Sequence, residues 1–135
     1  MTDAPWSGDA VSLIEAFRSG ERSPLEELEA TLAAIERSEI NAFSFLDVDA
    51  ARKAAANADV TKPLGGLPIG VKELDHVEGW PATEASIALQ DQVATHDSTK
   101  VARLRAAGAI PIGLTTSSEF GGICVKSSTT CSTTL

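Results

Sequence analysis

Helix and short-strand signals alternate along this chain, and the alternation limits its possible folds more than any other feature. Three short apolar segments predict strands, and helical patterns separate them. The predicted strands are residues 40–46, 67–74 and 109–115, and the predicted helices start after Asp9, Ser23, Asp47 or Asp49, and Asp97 or Ser98. The order helix, helix, strand, helix, strand, helix, strand predicts an α/β fold with a largely parallel or mixed sheet and flanking helices.

The second helix has the clearest start signal in the chain. Ser23 is a favourable cap, Pro24 suits the first helical position, and Glu26 completes a capping box. Leucine and isoleucine then recur at spacings of three and four, which predicts a stripe that faces the core. Gly20 and Gly108 stand where glycine commonly ends a helix.

Pro111 interrupts the last predicted strand, AIPIGLT. Proline cannot donate a hydrogen bond to a strand ladder. We therefore expect this strand to lie at a sheet edge or to have its nitrogen turned away from a partner at that position.

Lys72 is the residue of greatest chemical interest, because it follows the apolar residues Leu67, Ile69 and Val71. If its strand is buried, desolvation favours a neutral amine, which can act as a general base. Serine–lysine hydrolases activate a hydroxyl group in this way. The alternative is that Lys72 sits near a strand end and extends into solvent, or pairs with Glu73 or Asp75. Taken alone, this stretch favours the alternative.

Two segments in register resemble the amidase signature family. KPLGGLPIGVKEL is similar to the family's glycine–proline turn and lysine strand, and WPATEAS is similar to the segment that follows them. HDSTKVARLRAAGAIPIGLTTSSEFGG is similar to the next helix-and-strand unit, and SLIEAFRSGERSPLEELEATLAAIE to the opening helices. The resemblance covers residues 10 to about 123.

This resemblance implies a large α/β domain with a mixed sheet, and hydrolysis of carbon–nitrogen amide bonds in small molecules without metal or cofactor. In the family a serine attacks the carbonyl, and a second serine on a cis peptide bond passes its proton to a lysine. By position, Lys72 is that lysine. Glu73 stands where the family usually has aspartate.

The same resemblance places the family's glycine–serine segment and its nucleophile beyond residues 119–121. Ser127 and Ser128 lack flanking glycines, so we assign them no role. We therefore expect a truncated amidase chain that carries the base without its nucleophile and is inactive alone. The alternatives are a non-catalytic fragment and an amidotransferase A-type subunit that needs a partner.

The chain divides in composition near its end. Residues 1–123 are predicted to be the N-terminal part of an amidase domain, and residues 124–135 a disordered tail rich in serine and threonine. Cys124 and Cys131 are interpreted as ordinary reduced thiols. A sheet without its later strands would expose an apolar edge, so self-association is expected.

Charge and composition exclude several functions. The net charge of −8 predicts repulsion from nucleic-acid backbones and anionic membranes. The N-terminus has neither a signal-peptide pattern nor a long apolar run, so we expect a cytoplasmic protein.

Two further groups of polar residues are explained by ordinary structural roles as well as by functional ones. The acidic and histidine residues between Glu73 and Glu78 suggest a metal site, but a solvated acidic loop is the favoured interpretation. His96 is expected at a helix start. Ser86, Ser117 and Ser118 are candidates to line the surroundings of Lys72, although capping and turn roles explain them equally well.

Overall fold

The computed structural model describes residues 4–122, and its elements follow the predicted order. The helices are α1 (Ala10–Ser19), α2 (Pro24–Arg37), α3 (Val48–Ala56) and α4 (Thr99–Ala106). The strands are β1 (Phe43–Leu46), β2 (Pro68–Lys72) and β3 (Ile110–Thr115), and short 3-10 turns occupy Ile87–Leu89 and Glu119–Gly121. The predicted α/β fold is confirmed.

Local capping explains where the first two helices begin. Asp9 accepts a hydrogen bond from the Ser12 amide at 2.8 Å at the start of α1. At α2 both bonds of the predicted capping box are present, from the Glu26 amide to Ser23 Oγ (3.2 Å) and from the Ser23 amide to Glu26 (2.8 Å). Gly20 ends α1 at a φ of 77°, a left-handed conformation that suits glycine.

The two alternative caps left open by the sequence are resolved. Asp47, rather than Asp49, caps α3 by accepting from the Ala50 amide at 3.2 Å. Ser98 Oγ accepts from the Val101 amide at 3.4 Å in the first turn of α4. Asp97 accepts from the Glu78 amide at 2.8 Å, which ties the preceding loop to the start of α4.

The three described strands form one mixed sheet in the order β1-β3-β2. β1 runs antiparallel to β3, with Leu46 opposite Gly113. Hydrogen bonds from the Ile110 amide to Leu67 (2.8 Å) and from the Glu73 amide to Thr115 (3.1 Å) advance in the same direction along β2 and β3. These two strands are therefore parallel.

The structure distinguishes between the two alternatives stated for Pro111. β3 is the central strand among the described residues, so the alternative of an edge position does not hold. Because the Ile110 amide donates towards β2, the nitrogen of Pro111 faces the opposite side. On that side the pairing with β1 begins only at Gly113, so Pro111 displaces no ladder bond. The second alternative, a nitrogen turned away from a partner, fits the structure.

The described residues form two compact units. The first takes in the described residues up to Glu39, together with Asp47–Ile69 and Arg103–Ile112. In it α2 packs against α3, and the side chain of Leu28 is fully buried. This core is aliphatic apart from Phe17, as the low aromatic content leads one to expect.

The second unit takes in Ile40–Leu46, Gly70–Ala102 and the described residues from Gly113 onward. Its interior holds Val77 and Val101, both fully buried, and the rings of Phe45 and Trp80 with centroids 5.3 Å apart. Lys72 and the residues that contact it belong to this unit.

Two further predictions concern membrane-spanning helices and the C-terminal tail. Among residues 4–122, no helix has the length and apolar character that crossing a membrane requires. The predicted tail at 124–135, with both cysteines, Ser127 and Ser128, lies outside the described residues.

Candidate active site around Lys72

Lys72 is the last residue of β2, and its side chain is exposed. The condition of a buried lysine is therefore not met, and the favoured alternative of an exposed lysine at a strand end agrees with the structure. Its Nζ donates a hydrogen bond to the carbonyl oxygen of Thr116, directly after β3. The strand geometry explains the exposure, because successive side chains alternate between faces and the preceding Val71 occupies the buried face.

Glu73 has the opposite environment, with only 6% of its surface exposed. Its Oε1 accepts a hydrogen bond from the backbone amide of Ser117. A buried carboxylate needs such a donor, because an unpaired one is strongly disfavoured away from water. The prediction that Glu73 belongs to a solvated acidic loop is therefore wrong for this residue.

The chain turns sharply after Lys72, and several contacts fix the turn. The Asp75 amide donates to the Lys72 carbonyl at 2.8 Å, which closes a four-residue turn. The Asp75 carboxylate binds Lys100 Nζ at 2.5 Å, and the Ser98 amide donates to His76 at 2.8 Å. Asp75 thus pairs with α4 rather than with Lys72, and it holds the backbone carrying Lys72 at the start of that helix.

The segment from Glu84 to Ser86 contacts the turn that follows Ser117 and Ser118 in the sequence. Glu84 and Ala85 have φ values of 48° and 58°, which is unusual for residues other than glycine. Ser86 is 3% exposed, and its hydroxyl donates to Glu119 Oε1 at 2.7 Å. The Phe120 amide also donates to the Glu84 carbonyl at 2.9 Å. This segment is therefore fastened to the 3-10 turn Glu119–Gly121.

The three serines proposed to surround Lys72 have different roles. Ser117 contributes its backbone amide to Glu73 and is adjacent to the carbonyl that binds Lys72. Ser118 Oγ donates to the Gly122 carbonyl, which is a turn role. Ser86 is committed to Glu119. Sequence reasoning missed Thr116 and Glu119, because their contacts are made with residues more than 30 positions away.

The histidines form a small surface group rather than a metal site. The rings of His76 and His96 meet edge to face with centroids 6.1 Å apart, and His76 Nε2 is 3.8 Å from Glu84 Oε1. His96 precedes α4 and lies 3.2 Å from the hydroxyl of Thr95. Within residues 4–122, no group of three or more histidine, cysteine or acidic side chains is arranged to hold a metal ion.

This arrangement presents an exposed primary amine whose direction is set by one backbone carbonyl. A neutral lysine amine has a lone pair that can accept a proton, and an anchoring N–H leaves that lone pair free. General-base chemistry depends first on such placement within hydrogen-bond reach of the reacting group.

Comparison with known proteins identifies the family. The amidase family model matches residues 26–135. The chain is 42% identical over 107 residues to the A subunit of the glutamyl-tRNA(Gln) amidotransferase from Akkermansia muciniphila, which covers 78% of this chain and 23% of that protein. It is 40% identical over 114 residues to the protein of the same name from Roseiflexus sp. (strain RS-1), with the same two coverages.

Solved structures agree with these relatives. The fold is similar to that of a 6-aminohexanoate cyclic dimer hydrolase, with a TM-score of 0.76 and 30% identity over 84% of this chain and 24% of that one. It is also similar to a bacterial aryl acylamidase of the amidase signature family, with a TM-score of 0.78 and 27% identity over 88% of this chain and 27% of that one. The chain spans about a quarter of the length of these relatives. On the family match and the shared fold, the chain belongs to the amidase family, the amidase-signature proteins.

Proposed function

We propose that Lys72 is the general base of a site that hydrolyses carbon–nitrogen amide bonds. The observation that carries the proposal is the placement of its amine, exposed at the end of β2 and directed by the Thr116 carbonyl. Family membership supplies the reaction class, and relatives named as a cyclic dimer hydrolase and an aryl acylamidase support a carboxylic amide as the substrate.

The proposed reaction uses Lys72 only to move protons. The Lys72 amine, acting as the base, takes the proton that leaves the nucleophilic serine through a second serine, while the serine oxygen bonds to the amide carbon. When the carbon–nitrogen bond breaks, the proton passes to the departing nitrogen and the acyl group stays on the serine as an ester. Water then attacks that ester, giving one proton back to the serine oxygen through the same route and releasing the carboxylic acid. This route conserves protons and calls for no metal or redox group.

We further propose that the nucleophilic serine is supplied by residues that this 135-residue sequence does not contain. Ser86 and Ser118 use their hydroxyl groups in bonds to Glu119 and Gly122. The relatives are about four times as long as the matched region, which leaves room for the missing part. The chain alone is accordingly expected to hydrolyse no amide.

The first experiment assays the purified 135-residue chain against a panel of aliphatic and aryl amides, with Lys72→Ala in parallel. Turnover that disappears in the variant would disprove the expected inactivity. The DNA downstream of codon 135 should then be read for a Gly-Gly-Ser-Ser-Gly-Gly coding stretch, in any frame. Finding it supports a truncated amidase chain, and its absence supports a stand-alone non-catalytic protein.

The second experiment tests Lys72 itself, in the longest polypeptide that the DNA sequence downstream of codon 135 is found to encode. Lys72→Met is expected to lower kcat for amide hydrolysis by about 100-fold to 10,000-fold, because a positioned base contributes about that much. Lys53→Met is the matched control, since Lys53 is also exposed but lies on α3. Equal activity of the two variants would disprove the assignment of Lys72.

A second candidate function is that of an amidotransferase A-type subunit. Two relatives named as the A subunit of glutamyl-tRNA(Gln) amidotransferase, at 42% and 40% identity, favour it. Under this proposal, turnover by the longer polypeptide would appear only when partner polypeptides are added. The cytoplasmic location and self-association remain predictions, and a clean monomer by light scattering would contradict the second.

A further inference from the structure

Lys72 and Glu73, which are consecutive in the sequence, bind the two ends of one peptide group. Lys72 Nζ donates to the carbonyl oxygen of Thr116, and the Glu73 carboxylate accepts from the amide of Ser117. That carbonyl and that amide belong to the same peptide bond, between residues 116 and 117. We propose that Glu73 is a positioning residue for Lys72 that acts through this peptide group, an inference that rests on the proposed function of Lys72.

The electronic structure of a peptide group makes it a suitable connector. The described peptide bonds are trans, so the carbonyl and the amide point in opposite directions, and resonance couples them. A carboxylate that accepts from the amide N–H pushes electron density along the peptide group towards the carbonyl oxygen. That oxygen then becomes a better acceptor for the lysine amine, since successive hydrogen bonds strengthen one another and charged ones are the strongest.

The surroundings hold both the carboxylate and the peptide group in place. The backbone amide of Glu73 donates to Thr115 at 3.1 Å, which extends the β2–β3 pairing to the residue beside Lys72. On the opposite side, the amide of Thr116 donates to the Ala42 carbonyl at 2.9 Å, and its hydroxyl lies 3.4 Å from the same oxygen. These bonds fix the backbone on the N-terminal side of the 116–117 peptide group, and Glu73 binds the amide of that group.

A purely structural role for Glu73 makes a different prediction. If the carboxylate only satisfies the buried Ser117 amide, its removal should lower stability and loosen the local backbone without a specific effect on Lys72. If Glu73 positions Lys72, its removal should free that amine more than the other lysines. The two roles therefore differ in a property of Lys72 itself, which can be measured without any catalytic turnover.

The experiment uses the 135-residue chain and measures the acetylation rate of each lysine by N-hydroxysuccinimidyl acetate, with mass spectrometry of peptides. In Glu73→Gln we expect Lys72 to react at least about threefold faster, because the Thr116 carbonyl loses its charge-assisted support and holds the amine less tightly. Lys53 and Lys62 serve as internal references, and Glu78→Gln removes the same charge from an exposed position on the same loop.

A rise at Lys72 alone, present in Glu73→Gln and absent in Glu78→Gln, supports the proposal. An unchanged Lys72 rate overturns it, and so does an equal rise at all lysines, which indicates general loosening. Glu73→Asp tests the geometry, since the shorter carboxylate keeps the charge but withdraws from Ser117. Its Lys72 rate is expected between those of the parent chain and Glu73→Gln.

The reverse measurement covers the case in which Glu73→Gln fails to fold. Lys72→Met changes an exposed residue, and the proton resonance of the Ser117 amide is followed by NMR. We expect that resonance to move upfield, because the peptide group loses its polarising donor at the carbonyl end. Lys100→Met, which removes the partner of Asp75, should leave it in place. An unmoved Ser117 resonance in Lys72→Met overturns the proposal.

These readouts are independent of the catalytic test. If Lys72→Met leaves amide hydrolysis intact while the coupling to Ser117 is present, the proposed function fails and the contact itself stands. If hydrolysis depends on Lys72 but its acetylation ignores Glu73, the proposed function stands and the positioning role fails.

Discussion

Two glutamates are buried among residues 4–122, one in each unit, and they differ in their hydrogen-bond partners. Glu27 on α2 is 4% exposed and Glu73 after β2 is 6% exposed. Glu27 receives the guanidinium of Arg22 at 2.7 Å and the amide of Trp6 at 3.1 Å. Glu73 accepts from the Ser117 amide, while the exposed Lys72, next to it in the sequence, donates from its Nζ to the Thr116 carbonyl.

The difference separates a structural cluster from a candidate functional one. Around Glu27 the cation is itself buried, with 8% of the Arg22 side chain exposed, so the group is closed to a substrate. Around Glu73, Lys72 binds the same peptide group as the carboxylate, but the Lys72 side chain is exposed. Burial of a charged residue therefore does not by itself identify a functional site. The two clusters are distinguished by whether the neighbouring basic side chain is buried, as in Arg22, or exposed, as in Lys72.

The largest effect on stability is expected at Glu27. Glu27→Ala leaves Arg22 buried without its carboxylate and removes the acceptor of the Trp6 amide, which should lower the free energy of unfolding by about 3–5 kcal/mol. Urea denaturation measures this. The control is Glu29→Ala, which breaks the exposed pair with Arg52 and should cost about 1 kcal/mol or less.

The same variant tests whether the two glutamates have separate roles. None of the described contacts of Glu27 is made with Lys72, Glu73 or the 116–117 peptide group. Under conditions in which Glu27→Ala remains folded, the acetylation rate of Lys72 should therefore match that of the parent chain. A Lys72-specific rise in this variant would contradict the distinction drawn between the two clusters.

The next largest effect is expected at Gly113, in the unit that holds Lys72. A Cβ at this position would lie 2.2 Å from the Phe45 carbonyl oxygen and 2.8 Å from Leu46, so Gly113→Ala must move β1 away from β3. We expect a loss of about 1–3 kcal/mol in the free energy of unfolding, typical of overpacking. Ser44→Ala, on the exposed side of β1, is the control, and an equal loss there would disprove the steric explanation.

Much of this architecture was predictable from sequence because its determinants are local. Ser23 and Glu26 set the start of α2 within four residues, and apolar spacing within single segments located all three strands. The end of β2 was placed two residues too late, at Leu74. The reason is the turn closed by the Asp75 amide on Lys72, which the apolar pattern does not reveal.

The candidate site was predictable only in part, since its contacts join distant segments. The family resemblance singled out Lys72 as a candidate, and the local pattern favoured its exposure, but the burial of Glu73 was not predicted. Thr116 and Ser117 lie 44 residues from their partners. The contacts of Lys72 with Thr116 and of Glu73 with Ser117 depend on the register between β2 and β3, and no sequence periodicity reveals that register.

A smaller effect is expected at the α2 cap. Ser23→Ala should cost about 1 kcal/mol in the free energy of unfolding, the usual value for a lost cap. Hydrogen bonds from the amide and hydroxyl of Ser23 also hold the pKa of Glu26 below its ordinary value. The variant keeps the amide and removes only the hydroxyl, so it should raise the pKa of Glu26 part of the way towards that value, which NMR titration measures, whereas Ser19→Ala should not change it.

The sign of the pH dependence follows from that lowered pKa. A carboxylate with a lowered pKa in the folded chain stabilises it above the ordinary pKa and loses that contribution as pH falls through the folded value. Ser23→Ala should therefore flatten the acid side of the stability curve. An unchanged acid slope would show that the Ser23 hydroxyl does not contribute to the lowered pKa of Glu26.

The smallest effect on stability is expected at Lys72, where the effect on chemistry should be greatest. Lys72→Met keeps the length of the side chain and removes one exposed hydrogen bond, so the free energy of unfolding should change by about 1 kcal/mol or less. A loss as large as that in Glu27→Ala would mean that Lys72 belongs to a structural cluster after all. A variant that is stable but has lost hydrolysis in the longer polypeptide would mean that Lys72 is needed for the reaction and not for stability, as its accessible amine indicates.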